Sequence, residues 1–469
     1  MARVVVVGAG IGGLAAAQRL LAERPGLDVV VLDAAGRVGG RLALGEVGGL
    51  TVDLGAESLL ARRPEAVDLA RAVGLGDDLV TPRSAGALVR SGGRLHPLPT
   101  GTVMGVPSRT EGLDGLLPRR AVDAVAAEPR TPHERLTDDT DVATFVRGRV
   151  GDDVVARLVE PLLGGVYAGH AERLSLRATV PALWEAAVSG GSVVERAAAA
   201  ARAGTATRGP VFAGVRGGVG RLPLAVADAV RAAGGDVRTG ATVREPAPDA
   251  VRLAAGRRPD DRTRGAGRRR RGRRGAATGG CPAAARRRTR RGLDARRGRA
   301  WPAWRWSPRC CRAPRPTCSP RAPGCWCHRS RAASSRPSRR RRRSGRGSTT
   351  ATPSTSSSAP RWAATAMSAT CRLDDDALTA RVLADLTGVL DLREPLRPVA
   401  TAVTRWGGGL PQYAVGHVDA MALVRREVAR RPGLAVAGAA YDGVGVPAVI
   451  ASAHRAARDV LSHLGDSTP

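Results

Sequence analysis

The fold is decided by residues 1–41, MARVVVVGAGIGGLAAAQRLLAERPGLDVVVLDAAGRVGGR. Residues 3–7 form a short β-branched run, as expected for a buried parallel strand. A glycine-rich turn that fits the pattern G-x-G-x-x-G follows, and residues 14–23 have helical character. A second β-branched run, residues 29–32, ends at Asp33, twenty residues after the last motif glycine. This order of strand, turn, helix, strand and acid predicts a βαβ unit that binds a dinucleotide.

Each part of the turn has a mechanical role. Gly8 permits the tight turn, Gly10 lets the backbone approach a pyrophosphate, and Gly13 lets the helix pack on the strand. The helix N-terminus offers N–H groups and a partial positive charge to the pyrophosphate. Asp33 is predicted to accept a hydrogen bond from the adenosine ribose. The predicted phosphate loop consists of Gly8, Ala9, Gly10, Ile11, Gly12 and Gly13.

The next residues distinguish between the two common dinucleotides. Residues 37–41 fit R-x-G-G-R, and residues 53–58 fit D-x-G-A-E-S. Together they resemble the second fingerprint of FAD-dependent, amine-oxidase-like flavoproteins, which nicotinamide dehydrogenases lack. The resemblance implies FAD and places further cofactor contacts at Arg41, Gly55, Ala56, Glu57 and Ser58.

The formal net charge of +32 at pH 7 is concentrated in one segment. Residues 252–371 hold 34 of the 74 basic side chains, three of the 42 acidic ones and all seven cysteines. Charges elsewhere nearly cancel, which argues against a nucleic-acid partner. No apolar run reaches the roughly 18 residues of a membrane-spanning helix, and the glycine turn interrupts the apolar N-terminus, unlike a signal peptide. We therefore expect a cytoplasmic protein that could touch a membrane peripherally.

Two hypotheses compete for the arginine-rich segment. It is either an authentic nucleic-acid-binding insertion or a stretch translated in the wrong frame. The chain contains no lysine, which indicates a GC-rich gene, and shifted frames of such genes spell Arg, Ala, Pro, Ser, Cys and Trp. Residues 324–333 can be back-translated so that a two-base shift gives the strand-like string VLVPPVEGR, so we favour the frame error. The cluster Cys325-Trp326-Cys327-His328 lacks a second ligand pair at usable spacing, and we predict no metal site.

Several longer strings resemble a single family. They are RLHPLPTGTVMGVP (94–107), LVEPLLGGVYAG (158–169), LSLRAT (174–179), FAGVRGGVGRLP (212–223), TRWGGGLPQYAVGH (404–417) and GAAYDGVGVPAVIASA (438–453). The family is that of the bacterial coproporphyrinogen III and protoporphyrinogen oxidases of haem biosynthesis. The resemblance covers roughly residues 1–250 and 372–469.

The resemblance implies an oxygen-dependent oxidation of a porphyrinogen by six electrons, through FAD, with hydrogen peroxide as the second product. Coproporphyrinogen III is the expected substrate, and protoporphyrinogen IX is the alternative. An amine or carotenoid oxidoreductase ranks well behind, because it would lack strings such as PLPTGTVMGVP. An arginine-rich nucleic-acid-binding protein and an inactive, frameshifted oxidase are the alternatives of another class. Enzymes of the haem pathway could be partners.

The resemblance also carries cofactor positions from the second half of the chain. Val243 matches the position whose backbone meets adenine. The flavin end matches Trp406 and the run Val444, Gly445 and Val446. Residues 406–413 contain no cysteine, and related amine oxidases attach flavin covalently there. FAD is therefore expected to be bound non-covalently.

Substrate recognition needs cations for four propionates and an apolar cleft. Arg62 and Arg63, just after the D-x-G-A-E-S motif, are candidates, together with Arg94 and Tyr167. The alternatives are solvated surface positions for the arginines and a core position for Tyr167. Tautomerisation can complete each step after hydride transfer, so no protein base is demanded and no catalytic residue is assigned.

The predicted architecture is an α/β fold, with a doubly wound, Rossmann-like FAD-binding domain and an inserted, mostly helical substrate domain. The FAD-binding domain is expected to comprise residues 1–80, 208–258 and 395–469. The substrate domain is expected to comprise residues 81–207 and 372–394, and residues 259–371 stand in place of its strands.

Overall fold

The computed structural model describes residues 2–83, 86–206, 209–247, 250–253 and 372–466. The hypotheses on the arginine-rich segment 259–371, the frame error and the excluded metal site among them, therefore lie outside the described residues. None of the described helices is both long and apolar enough to cross a membrane.

The strands are β1 (Arg3–Val7), β2 (Asp28–Leu32), β3 (Leu44–Val47), β4 (Leu50–Asp53), β5 (Leu59–Leu60), β6 (Leu79–Val80), β7 (Leu88–Ser91), β8 (Arg94–Pro97), β9 (Phe212–Val215), β10 (Asp236–Arg238), β11 (Val243–Ala247) and β12 (Ala250–Leu253). The helices are α1 (Ile11–Glu23), α2 (Pro64–Ala72), α3 (Arg119–Ala127), α4 (Val142–Val150), α5 (Asp152–Val154), α6 (Glu160–Tyr167), α7 (Leu176–Thr179), α8 (Pro181–Ser189), α9 (Val193–Ala206), α10 (Arg221–Ala232), α11 (Asp375–Val389), α12 (His417–Ala429), α13 (Ala439–Asp442) and α14 (Val446–Asp466).

The N-terminal βαβ unit forms as the sequence predicts, except that β1 is not a buried strand, since residues 4–6 are half-buried and Val7 is 59% exposed. Strands β1 and β2 pair in parallel, from Arg3 opposite Asp28 to Val7 opposite Leu32. Strand β10 adds to the other edge of β2, also in parallel, and gives the order β1-β2-β10. Helix α1 packs against β2, α10 and α14, because Ala15, Ala16 and Ala17 are buried and allow close approach.

Buried side chains form two hydrophobic cores. The first, which we call the βαβ core, draws on residues 9–75, 213–230 and 450–457. The second, which we call the helical core, draws on residues 89–197 and on Tyr413. Segments distant in sequence thus meet in each core. The predicted domain boundaries themselves remain a prediction.

Two local predictions are wrong in extent. The apolar spacing of residues 64–79 predicts an amphipathic helix, but α2 ends at Ala72. Gly74 has a φ of +80° there, and Leu75 N–H donates back to Ala70 O. These are features of a Schellman motif, which stops a helix. The sequence of residues 236–243 is strand-like, but Gly240, with a φ of +70°, separates β10 from β11.

The apolar run GLAVAG at residues 433–438 predicts a buried strand, and this prediction is also wrong. The structure assigns no strand there, and the Leu434 side chain is 42% exposed. A strand needs a neighbour for its backbone hydrogen bonds, and no described strand pairs with this segment. Helix α11 also lacks cover, since none of its residues is buried and Val382 and Leu386 are exposed.

Candidate cofactor and substrate site

The phosphate loop has the geometry that its glycines predict. Gly8 adopts a φ of +109°. A Cβ atom on Gly13 would lie only 1.8 Å from the Gly8 carbonyl oxygen, so no other residue fits there. Leu14 N–H donates to Gly10 O at 3.0 Å and is the first intrahelical donor, so the N–H groups of residues 11–13 face out of the helix end. This end of α1 can receive an anion.

The R-x-G-G-R motif packs directly on the phosphate loop. Gly39 N–H donates to Ala9 O at 2.8 Å, and Gly39 forms a parallel bridge with Gly10. A Cβ atom on Gly40 would lie 3.4 Å from the Gly10 Cα, so the two backbones are nearly in contact. The contact of these two glycines with the phosphate loop was not predicted from the sequence, although their pairing in the motif was a usable signal.

Asp33 stabilises the loop that it was predicted to complete. Its Oδ2 accepts a hydrogen bond from Ala9 N–H at 2.6 Å, and its Oδ1 accepts one from Ala35 N–H at 2.7 Å. Each carboxylate oxygen has a second acceptor site. A ribose hydroxyl can therefore still bind Asp33, and that role stays a prediction.

A second helix N-terminus lies beside the first. A Cβ atom on Gly12 would lie 3.0 Å from Val449 Cγ1, so the first turns of α1 and α14 are in contact. Helix α14 begins just after Gly445, whose carbonyl accepts a hydrogen bond from Val449 N–H at 3.0 Å. Two helix N-termini in contact add their partial positive charges, which favours an extended anion such as a diphosphate.

The middle of the site joins residues from both ends of the chain. A Cβ atom on Gly55 would lie 1.9 Å from Arg41 O and 3.5 Å from Trp406 Cζ2. Trp406 Nε1–H donates to Leu54 O at 2.9 Å. Arg41 Nη2 donates to Gly408 O at 2.5 Å. The D-x-G-A-E-S motif therefore lies against Trp406, as expected if both contact one cofactor.

Two further side chains of this region were missed in the sequence. The Arg37 guanidinium lies 5.7 Å from the centroid of the Trp406 ring and donates to Gly40 O at 2.8 Å. The Asp53 carboxylate accepts hydrogen bonds from Val219 N–H and Gly220 N–H, both at 2.8 Å. Asp53 thus fixes the D-x-G-A-E-S motif to the N-terminus of α10, a tertiary contact that no local pattern reveals.

The other predicted cofactor positions lie in different surroundings. Residues 56–58 are exposed and lie in an irregular segment before β5. Val243 is half-buried at the start of β11, opposite Leu253. Val444 packs against the helical core and Val446 against the βαβ core. The turn before α14 therefore lies where the two cores meet.

The predicted substrate residues are not gathered at one point. Arg62 and Arg94 are exposed, on the turn before α2 and on β8 respectively. Arg63 Nη2 is 2.5 Å from Glu65 Oε1, so its charge is already paired. Tyr167 is buried in the helical core and donates to Thr179 O at 3.3 Å. Burial raises the pKa of its hydroxyl, which agrees with the core alternative for this residue.

An aromatic cluster joins Tyr167 to the C-terminal part of the chain. Tyr413 is buried, with its ring 5.8 Å from that of Tyr167, and its hydroxyl donates to Ala439 O. His417 stacks on Tyr413 at 4.3 Å between ring centroids. Burial raises the pKa of Tyr413 and lowers the pKa of His417, which keeps both neutral. The described residues contain no group of acidic, histidine or cysteine side chains that could hold a metal ion.

Comparisons with known proteins agree with this architecture. The family model described as flavin containing amine oxidoreductase matches residues 11–255 and 328–461. The coproporphyrinogen III oxidase of Mycobacterium tuberculosis H37Rv is 33% identical over 488 residues, which cover 98% of this chain and 97% of that protein. Protoporphyrinogen oxidase 1 of Arabidopsis thaliana chloroplasts is 33% identical over 193 residues, 40% of this chain and 35% of that protein.

A solved structure provides the fold comparison. A protein from Exiguobacterium sp. 255-15, provisionally named a protoporphyrinogen oxidase, aligns over 99% of both chains with a TM-score of 0.63 and 23% identity. The predicted α/β flavoprotein fold is confirmed by this alignment and by the family match. The chain thus belongs to the flavin-containing amine oxidoreductase family.

Proposed function

We propose that this protein oxidises coproporphyrinogen III to coproporphyrin III with bound FAD and dioxygen, in porphyrin and haem biosynthesis. The observation that carries the proposal is the 33% identity to a coproporphyrinogen III oxidase over 98% of this chain. A match of that extent spans both the βαβ core and the helical core. Similarity confined to the βαβ unit would support nucleotide binding alone.

The site fits an FAD molecule that is held without a covalent bond. The N-termini of α1 and α14 would hold the diphosphate, and Asp33 would bind the adenosine ribose. Residues 55–58 and the backbone of Val243 would line the nucleotide, while Trp406 and residues 444–446 would face the flavin. The Gly13 and Gly55 positions, where a Cβ atom would collide with backbone, support a cradle built for close approach. Residues 406–413 offer no cysteine for a covalent link.

FAD held by these residues would supply the redox chemistry, in which six electrons and six protons of the porphyrinogen reduce three dioxygen molecules to three hydrogen peroxides. The side chains of this protein then have to hold the macrocycle, shield it from water and leave its protons to tautomerise. Tyr413 is buried, and its hydroxyl already donates to Ala439 O, so it suits packing rather than proton transfer. We accordingly assign no general base.

The propionates would bind exposed cations. Arg62 and Arg94 are exposed and available, whereas Arg63 would first have to leave Glu65. We expect a cytoplasmic enzyme that could touch a membrane peripherally and could meet other enzymes of the haem pathway. Dioxygen is the expected oxidant.

A second candidate substrate is protoporphyrinogen IX, because the chloroplast relative carries that name. Its match covers only 40% of this chain, so the coproporphyrinogen proposal stands first. The two substrates differ in the number of carboxylates to be bound. A preference for the tetracarboxylate would therefore show as a lower KM that rises with salt.

The test is an aerobic assay with the purified full chain. We expect FAD to be released into the supernatant on denaturation, and porphyrin fluorescence to rise with coproporphyrinogen III more steeply than with protoporphyrinogen IX. A chain that carries FAD and oxidises an amine, but oxidises neither of the two porphyrinogens, would contradict the proposed substrate. A chain that contains flavin covalently attached after denaturation would contradict the binding mode.

A further inference from the structure

A charged cluster lies at the turn between α13 and α14. The carboxylate of Asp442, the last residue of α13, accepts hydrogen bonds from Arg425 and from the Ser452 hydroxyl. Arg455 Nη2 lies 2.7 Å from Asp442 Oδ1. Ser452 is buried, and its oxygen accepts a hydrogen bond from Gly438 N–H at 3.0 Å. One carboxylate thus ties together α12, α13 and α14.

This carboxylate is held in its charged form. Burial alone would raise the pKa of Asp442, but the hydrogen bond from Ser452 and the charges of Arg425 and Arg455 hold it below its usual value. Charge-assisted hydrogen bonds of this kind are about twice as strong as neutral ones. The cluster is therefore a firm anchor.

The turn that follows contains two glycines. Gly443 has a φ of +134°, and a Cβ atom on it would lie 2.9 Å from Ala448 Cβ. Gly445 is the second glycine of the turn. Glycine loses more conformational freedom on folding than other residues, so a turn with two of them needs anchors at its ends. Asp442 supplies an anchor at the start of the turn. Tyr413, which donates to Ala439 O, holds the first residue of α13 in place.

We propose that Asp442 is a positioning residue, whose carboxylate fixes the 443–445 turn in the conformation that receives the flavin. The proposal rests on the proposed function, in which residues 444–446 contact FAD. Asp442 bonds Ser452 and Arg455, which lie one to three turns into α14, so the turn is closed back onto the helix that it precedes. Without that closure, the N–H groups at the start of α14 would lose their fixed direction.

The test measures two properties of each holoenzyme variant. The rate of FAD release is measured as the rise in free flavin fluorescence after dilution, and the surroundings of the bound flavin are measured by its visible spectrum. In D442N the charge is lost at nearly constant shape, and we expect release about tenfold faster, as for loss of one charge-assisted hydrogen bond. The spectrum of the bound flavin should change as well. D442E, which keeps the charge, should recover part of both effects.

The control is E427Q, which breaks the exposed Arg430–Glu427 pair on α12 and leaves the turn untouched. It should release FAD as the wild type does. Equal release rates and identical spectra in D442N and wild type would overturn the proposal, as would a loss of overall stability with an unchanged flavin spectrum. If D442N does not accumulate, S452A replaces it. S452A should release FAD about threefold faster, and an unchanged rate would overturn the proposal.

If the proposed function itself were wrong, the experiment would give a different result. A wild-type chain that binds no FAD would contradict the flavin site itself, whatever Asp442 does. A wild type that holds FAD and a D442N that holds it equally well would contradict only the role of Asp442.

Discussion

The two halves of the proposed FAD site are built in different ways. The first half, at residues 8–13, 33 and 39–40, consists of backbone at close approach, within one stretch of the chain. The second half, at residues 406–408 and 442–446, is held by side-chain bonds, such as the long-range bond from Trp406 to Leu54 O and the shorter-range bond from Arg425 to Asp442. A backbone cradle tolerates almost no added atoms, whereas a side-chain network can lose one bond at a time. Substitutions should therefore affect the first half abruptly and the second half by degrees.

The largest effect is expected at the backbone cradle. In G13A the new Cβ atom would lie 1.8 Å from Gly8 O, and the loop or the helix must move. Overpacking of this kind costs about 3 kcal/mol, and we expect the purified variant to lack FAD. The FAD-to-protein ratio measures this directly. The control is G148A, which adds its Cβ atom to open space on α4 and should keep FAD. A G13A variant with full FAD content would contradict the claim that the backbone at Gly13 tolerates no added atom.

A smaller loss is expected at the side-chain half. W406F keeps an aromatic ring but deletes the Nε1–H bond to Leu54 O, which is worth about 1 kcal/mol. FAD should bind about fivefold more weakly, as measured by titration of the apoprotein. W184F, in the helical core, is the matched control and should bind FAD normally. If both variants bound FAD equally, the proposed contact between Trp406 and the cofactor would be wrong.

The candidate substrate cations should give a still smaller effect. Arg62 is exposed, and R62Q should raise KM for coproporphyrinogen III about threefold with little change in kcat, since exposed charge pairs are worth less than about 1 kcal/mol. R63Q should have less effect, because Arg63 already pairs with Glu65. Steady-state kinetics at low and high salt distinguish the effects of the two substitutions on KM. A larger effect in R63Q would place the substrate on the other arginine.

The smallest effect concerns pH. Burial lowers the pKa of His417, so the folded protein binds fewer protons there than the unfolded chain does. The stability contributed by neutral His417 is present above the unfolded pKa of about 6.5 and declines as pH falls below it. Urea unfolding at pH 7.5 and 5.5 should show a smaller acid-induced loss in H417F, which keeps the stack on Tyr413, than in the wild type. An equal loss would mean that other groups, such as His454, account for the pH dependence.

The same contrast explains what could be predicted from the sequence. The βαβ unit, with its phosphate loop and Asp33, follows from local patterns, because strand, turn and helix are adjacent in the chain. The Asp53 cap on α10 and the Asp442 cluster could not be foreseen, since their partners are set by tertiary packing. Tyr167 illustrates the limit of motif reasoning, because its position in a motif did not reveal its hydrogen bond to Thr179 O in the core.

The wrong strand prediction at residues 433–438 bears on the arginine-rich segment. That stretch pairs with no described strand, and α11 leaves Val382 and Leu386 exposed. Both features fit the hypothesis that residues 252–371 are translated in the wrong frame, since the correct frame is expected to supply strands to both domains. Peptide mass spectrometry of the native protein should then find sequence resembling VLVPPVEGR. Peptides from the arginine-rich sequence itself would refute the frame error.

The most direct test of the central claim is the ratio of dioxygen consumed to porphyrin formed. It needs the purified protein, coproporphyrinogen III, an oxygen electrode and a fluorescence reading of the porphyrin. The account predicts three dioxygen molecules consumed, and three hydrogen peroxides formed, for each coproporphyrin III, since a flavin passes electrons on in pairs. Porphyrin formation that proceeds without dioxygen, or no faster than in a sample without the protein, would contradict it.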